Sequence, residues 1–599
     1  MVRKNSTSIM KVGGFLLGCG GLMAMSSPAL SMGYGGDDEP AFNFSYNGYL
    51  RSTIAVSLQD HDETSADDKW RMTQAELTLN LDFDIKTGPL NWKVITRFDK
   101  EAQTDYLDDL EDRMNNTSAI FGLRGNYGKN GTKGDFMEQY ETTDEVFDWL
   151  REIYFDVNLF DDRLLMRVGR QQLVWGESDF FQAMDVVHGY DYRGRLFYEN
   201  NEEWRKPLML FNFNLDLYEL GGSLNWYIRP GWDRKEDMGS NYNIEGGRWI
   251  PHPYAGVDFT SFTNSYRTDH DSGDWSDMTY GIRWNGSWGS IGYSFAYLKT
   301  FNPAPIVNPR SSLGTALGDG FYGGRSSDPS YDFWGVSGDT KAYGGDEPSG
   351  GSSCIPGGVA EDLYQLCPSG GSVLGDWMYP EIDVFGFTIN GFNSAMDATL
   401  SAEIAYIPNR PYNYGSLDSD LPGWNGVKEK DTINIMLRID KEFKWMDTLG
   451  THRPSLSSIQ LFDTWVLAHD DDDELVEFAS FGAPKKEHQA YLTIFTLLNF
   501  HRDTINPSFV AGTDLSRGGG FMIPAVEFVW GDDWRLKIEA DLWWNDGDKK
   551  KMCGDGVTGS GACDTSIGEQ NLGVRENSSG FMDWFSDDNQ VVFKLTRQF

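Results

Sequence analysis

The sequence is short of basic residues, of long apolar runs and of cysteine, and each shortage removes a class of protein. Lys and Arg number 51 against 90 Asp and Glu, a formal charge of −39. A nucleic-acid partner is excluded, because phosphate binding requires a basic face. Mean hydropathy is −0.47, and beyond the N-terminus there is no apolar run of the ~20 residues that a membrane helix needs. A bundle of spanning helices is excluded with it. What the chain does have is 40% hydrophobic residues, 14% aromatics and 67 glycines, too much apolar area for a disordered chain. A β-barrel in lipid fits, since alternation hides its apolar face from averaged hydropathy.

Residues 1–31 read as a signal peptide. Arg3, Lys4 and Lys11 lead into VGGFLLGCGGLMAM, and SPALS places Ala29 and Ser31 at the −3 and −1 positions of a cleavage site. Cleavage would remove three basic residues and no acidic ones, leaving 48 − 90 = −42. The string LLGC ending at Cys19 resembles a lipobox, which would make a lipidated Cys19 the mature N-terminus, although the apolar run continues past it. Residues 32–599 then form a single outer-membrane barrel domain. Its four cysteines fall into two local pairs, Cys354 with Cys367 and Cys553 with Cys563, each among Gly and Ser. In an exported chain these spacings predict two small disulfide-closed loops. A Cys₄ metal site would need C-x₂-C knuckles that are absent.

Periodicity sets the architecture. Ala75, Leu77, Leu79, Leu81, Phe83 and Ile85 share one face, and Gln74, Glu76, Thr78, Asn80, Asp82 and Asp84 the other, a period of two. Eighteen such segments follow one another, at 42–58, 72–86, 90–99, 149–159, 163–173, 207–217, 221–229, 277–286, 289–300, 380–390, 396–407, 430–440, 457–468, 489–501, 506–515, 521–531, 534–545 and 590–599. Their connections alternate between tight turns (KTGP, FDDR, WGS, HRDT, GDD) and stretches of tens of residues. The fold class is therefore all-β, a transmembrane antiparallel barrel of the outer membrane with short periplasmic turns and long extracellular loops. The overlong turn at 441–456 leaves sixteen strands as an alternative. In the last strand Val591, Phe593, Leu595 and the terminal Phe599 share a face; a terminal aromatic there resembles the signal read by the barrel-assembly machinery. Arg597 departs from that face near the chain end, where it can snorkel to the headgroups of the outer-membrane lipids.

Several motifs are decoys. Gly318, Gly320 and Gly323 satisfy G-x-G-x-x-G inside a Gly/Ser/Asp-rich loop without a βαβ unit. The acidic run Asp470 to Glu474 lacks EF-hand spacing and reads as a solvated loop face, with weak divalent-ion binding as the alternative. No H-E-x-x-H pair or G-x-S-x-G elbow occurs among the eight histidines and the serines. No cofactor or metal is expected, and no enzymatic activity is indicated.

The informative stretch is GRQQLVWGESDFFQAMDVVHGYDYRGRLFYENNEEWRKPLML, Gly169 to Leu210. Its Gly169, Arg170, Gln171, Gln172, Trp175, Gly176 and Glu177, then Asp179, Asp185-Val186-Val187, Asp191, Arg193 and the Arg205 to Leu210 entry into the next strand resemble the proteobacterial outer-membrane proteins catalogued as domain of unknown function 1302 (DUF1302). His188-Gly189 stands where members commonly carry Asn-Pro, so the local turn is expected to differ. The resemblance implies work beside a periplasmic lipoprotein and an RND-type transporter, moving small hydrophobic or aromatic molecules.

Residues 174–206 form a long charged and aromatic loop. Arg170, Gln171, Trp175, Glu177, Asp179, Asp185, Arg193 and Arg205, beside Phe180 and Phe181, have the charges and rings to set a constriction inside the barrel. The same residues would equally serve a salt-bridged plug. Function is thus open between a channel for small hydrophobic molecules and a non-conducting surface barrel that binds a partner through acidic loops, with an outer-membrane enzyme third.

Overall fold

The structure, a computed structural model, describes residues 42–60, 67–109, 140–178, 181–191, 201–234, 237–240, 275–304, 306–307, 377–414, 426–477, 483–545 and 588–599, with 111, 137, 579, 582 and 585–586 between them. The signal-peptide reading, the lipobox at Cys19, both cysteine pairs and the Gly318 to Gly323 decoy lie outside these residues.

Alternating sequence produces eighteen barrel strands: β1 Phe42–Ser57, β2 Met72–Thr87, β3 Leu90–Glu101, β4 Leu150–Leu159, β5 Leu164–Gln171, β6 Leu208–Leu217, β7 Gly222–Arg229, β8 Thr279–Trp288, β9 Ile291–Phe301, β10 Glu381–Asn393, β11 Ala398–Tyr414, β12 Gly426–Phe443, β13 Ser455–Val466, β14 His488–Leu497, β15 Ile505–Asp514, β16 Gly520–Trp530, β17 Trp534–Trp544 and β18 Gln590–Gln598. Each pairs antiparallel with its neighbour in sequence, and β18 closes on β1 with Gln598 opposite Tyr49 and Gln590 opposite Ser57. Phe599 completes the seam, its backbone N–H and C=O both bonded to Gly48 at 3.0 Å. Closure leaves no edge strand, the condition for a sheet in lipid.

The count is eighteen, not sixteen. β12 and β13 pair from Thr432 opposite Val466 down to Phe443 opposite Ser455, so the overlong turn joins a true hairpin. That turn is folded on itself, with the N–H groups of Leu449 and Gly450 both donating to the Trp445 carbonyl.

Which face meets lipid follows from exposure. Phe593 and Leu595 on β18, Phe385 on β10, Leu437 on β12 and Ile459 on β13 point outward, whereas Thr78, Gln590 and Lys594 are buried on the inner face. Exposed aromatics, among them Trp288, Phe160, Tyr218 and Trp530, gather by the short turns, as an interfacial girdle does. Arg597 lies over the Trp534 ring at 5.7 Å, packed on its own girdle residue. No helix among the described residues is long and apolar enough to cross a membrane.

Candidate functional site

The inner wall is not uniform. Along β17, β18 and β1 to β5 it is ionic. Glu539 lies between Lys537 and Lys594, Lys93 bonds Asp82 at 2.7 Å and Asp84 at 2.9 Å, and Arg167 grips Asp156 through two bonds of 2.7 and 2.8 Å. Toward the long-connection ends of β9 to β11 the inner face is largely apolar: Ala296, Leu298, Ile382, Val384, Ala405 and Ile407. An apolar inner face beside an apolar lipid face must be covered, because exposed apolar area costs roughly 25 cal/mol per Å².

The cover is the segment between β5 and β6. Leu173, Trp175, Met184, Val186 and Val187 join those wall residues in one buried cluster with Tyr227 and Tyr379. Trp175 stands edge-on to Tyr227, ring centroids 5.3 Å apart, and its indole N–H donates to Asn225 Oδ1 at 2.7 Å. Gly386 on β10 is the slot for Met184: a Cβ built there would lie 2.0 Å from its sulfur.

From this apolar seat the segment extends across the inside of the barrel. Glu403 on β11, fully buried, accepts the backbone N–H of Glu177 at 2.8 Å and that of Met184 at 2.5 Å. Arg283 on β8 donates to the Trp175 carbonyl at 2.8 Å, and Arg438 on β12 to the Glu177 carbonyl at 3.0 Å. Asn390 on β10 donates to Glu177 Oε1 at 2.6 Å. Phe181 ends the reach, stacked on Tyr491 of β14 at 4.5 Å and edge-on to Phe462 of β13 at 4.9 Å. In the opposite direction the helical turn Asn201–Trp204, α1, sends Glu203 to Arg97 of β3 at 2.8 Å and to Arg51 of β1 at 3.0 Å.

The charges pair as follows. Asp185 accepts from Arg205 Nη2 at 2.5 Å, with both side chains buried. Arg205 also reaches Gln172 Oε1 at 3.3 Å and lies over the Tyr190 ring at 5.6 Å. Arg170 takes its acid from the connection between β7 and β8, bonding Asp237 through both terminal nitrogens at 2.9 and 3.0 Å. Burial alone would raise the Asp237 carboxyl, but Arg170 and Arg234 hold it below the usual carboxylate range. Gln171 is buried and donates to the Leu210 carbonyl at 3.0 Å. Asp179, Phe180 and Arg193 lie outside the described residues.

His188 fastens the loop to itself. Its Nε2 accepts the Leu173 N–H at 2.8 Å, so Nδ1 carries the proton and donates to the Lys206 carbonyl at 2.9 Å. Burial first, and Arg205 second, push its pKa down to about 3, so the ring is neutral. The chain approaches closely at Gly189: a Cβ there would lie 1.8 Å from the Gly239 carbonyl oxygen. Tyr190 N–H donates to Ser240 Oγ at 3.1 Å and Lys206 Nζ to the Met238 carbonyl at 3.1 Å, tying the two connections together.

Sequence reasoning singled out the segment but not its anchors, Asn225, Arg283, Asn390, Glu403 and Arg438. A signal for one anchor was present: Glu403 is the lone acid in ATLSAEIAYI. The run Asp470 to Glu474 is a capped turn whose Asp473 bonds Lys428 and Lys430, and among the described residues no cluster of His, Cys, Asp and Glu could hold a metal.

Among solved structures, the chain is similar to Salmonella typhi OmpF in complex with daunomycin (8% identity, TM-score 0.35, 93% of this chain and 98% of that one). It is also similar to the outer-membrane channel DcaP of Acinetobacter baumannii (9%, 0.34, 94% and 99%) and to OccAB3 of the same organism (7%, 0.38, 93% and 99%). No curated protein matches the sequence. The sequence profile of the family described as "Protein of unknown function (DUF1302)" matches residues 15–599, and the chain belongs to that family.

Proposed function

We propose that the protein is an outer-membrane channel for small molecules, with a passage shaped by the segment between β5 and β6. The observation that carries this reading is the segment's course: it rests on the apolar sector of the wall, reaches Phe462 and Tyr491 at one end and Arg51 and Arg97 at the other, and faces an ionic wall along β17 to β5. A constriction built of paired charges and stacked rings selects by size and polarity. Arg170, Gln171, Trp175, Glu177, Asp185 and Arg205, together with Asp179 and Arg193, are its proposed residues. Hydrophobic or aromatic cargo, handed on through a periplasmic lipoprotein to an RND-type transporter, is the finer reading; the Phe181, Phe462 and Tyr491 rings would give such cargo a stacking surface.

A second reading is favoured by the number of anchors on the segment: a permanently closed barrel that presents acidic loops to a partner. Liposome swelling separates the two. Proteoliposomes of the purified protein should swell in small solutes, and a variant lacking the segment should swell faster. Liposomes impermeable with either protein, at normal barrel folding, would favour the closed scaffold.

A further inference from the structure

The barrel wall is low where β5 to β7 stand. β5 and β7 are eight residues each, against seventeen and eighteen in β11 and β12. Eight residues at ~3.3 Å each, tilted by about 40°, rise roughly 20 Å, short of the ~25 Å apolar band of an outer membrane. The shortfall lies at the long-connection end, because Phe160 before β5 and Tyr218 and Leu220 before β7 are exposed at the short-turn interface. Above β5 to β7, outer-leaflet chains therefore meet residues 230–234 and 275–278, which belong to no strand.

That part of the wall is held by side chains instead of a ladder. The Met209 N–H near the top of β6 donates to Asp233 Oδ1 at 2.7 Å, and Arg229 at the end of β7 bonds Asp233 and the Asp277 carbonyl, both at 2.7 Å. Arg170 near the end of β5 donates to the Arg151 carbonyl at 3.0 Å and to Asp237 at 2.9 Å. Irregular backbone at membrane depth is tolerated only where protein or an internal cavity takes up its polar groups. The ladders themselves stop lower, β5 with β6 at Gln171 opposite Leu208 and β6 with β7 at Phe211 opposite Ile228. Parting the wall here breaks no strand pairing.

Apolar side chains lie on both sides of this rim. Outside, Phe211, on the face of β6 opposite Leu208 and Leu210, meets the Trp232 ring at 6.0 Å, and Trp232 meets Trp275 at 5.4 Å. The two indoles are 42% and 55% exposed. Inside, Met238 joins Leu208, Trp175 and Tyr379 in the buried cluster of the seat. The connection between β7 and β8 thus crosses the rim, with Trp232 toward lipid and Met238 toward the seat.

We propose that this rim is a side route: uncharged apolar molecules pass between the outer leaflet and the seat, past Trp232 and Met238, without crossing the long extracellular connections. The proposal rests on the channel reading and deepens it, because it gives the cargo class and makes its entry lateral. Polar solutes are excluded from this route by the cost of leaving water for the lipid side.

The test uses cells lacking their own copy and complemented at matched surface amounts, with N-phenyl-1-naphthylamine as the apolar probe, and the purified proteins in planar bilayers with potassium chloride. W232E puts a charge on the lipid side of the route and should slow probe uptake about threefold or more, whereas W232F, still apolar and aromatic, should stay close to wild type. D233N weakens the hold on Arg229 and should speed uptake about twofold or more. Uptake by W232E equal to wild type, a loss in W232F as large as in W232E, or an unchanged rate in D233N would overturn the proposal. Conductance separates it from the channel reading, since W232E should conduct ions like wild type. Probe uptake that depends on Trp232 in a barrel that never conducts would keep the side route and sink the axial channel, whereas a conducting barrel whose probe uptake ignores Trp232 would do the reverse.

Discussion

Replacing Asp185 by Asn tests the hold of the segment most sharply. In the folded protein Asp185 Oδ2 accepts from Arg205 at 2.5 Å, and Oδ1 from the Trp175 N–H at 3.4 Å. Arg205 is 4% exposed, so Asp185→Asn leaves a buried guanidinium with Gln172 and Tyr190 as neutral partners. Breaking a buried pair from one side costs about 3–5 kcal/mol, because a charge stays behind unpaired. At about 1.4 kcal/mol per factor of ten, the seated-to-released equilibrium of the segment moves by roughly 10² to 10⁴. The strands gain nothing and lose nothing, so the barrel itself stays folded. Hydrogen exchange of the purified protein reads this directly: amides of Leu173, Trp175 and Met184 should exchange faster by that factor, with strand amides unchanged. The double variant Asp185→Asn with Arg205→Gln removes the orphaned charge and should recover much of the protection. Unchanged protection in Asp185→Asn, or a double variant as exposed as the summed singles, would refute the reasoning.

Four further outcomes follow from the same geometry. His188 is neutral when seated, with a folded value near 3 against about 6.5 for a free imidazole; its depressed pKa means stability complete above about pH 6.5 and lost at about 1.4 kcal/mol per pH unit below it, so Leu173 exchange should accelerate from pH 6.5 toward pH 4, and a His188→Gln variant lacking that slope is the check. Gly189→Ala should separate the two connections, seen as increased proteolysis at Tyr190 and Ser240 in intact cells, since the new Cβ would sit on Gly239. Leu81→Arg, on the lipid face, should cost about 2–4 kcal/mol near the bilayer midplane, and Asn80→Arg, on the inner face, much less; equal costs in equilibrium unfolding would reverse the face assignment. Peptide mapping by mass should find Cys354 joined to Cys367 and Cys553 to Cys563, and losing either bond should cost at most ~3 kcal/mol without unfolding the barrel.

The strands were legible because a period of two is written residue by residue. All eighteen appear where alternation places them, and the ends shift by a few positions, as at β12, where pairing carries the strand to Phe443. The inner face of β9 to β11 was not legible as a seat. Ile382, Val384, Ala405 and Ile407 look in sequence like ordinary apolar strand residues, and only closure shows that they turn inward and need a cover. The segment between β5 and β6 announced itself through its charges and rings, but its hydrogen-bond partners come from strands up to 261 residues away, as with Arg438 and Glu177. Asp185 with Arg205 lies within one loop and was open to inference. Arg170 with Asp237, Glu203 with Arg51 and Glu403 with two backbone amides depend on which connection lies against which strand inside the barrel.

Planar-bilayer recording of the purified wild-type barrel beside Asp185→Asn and Glu403→Gln tests the central claim most directly. The account predicts small unitary steps in wild type and steps several-fold larger or more frequent in both variants, because each frees the segment at a different anchor. Folded barrels that carry no current in any of the three, at any voltage, would contradict the channel and leave a closed scaffold in its place.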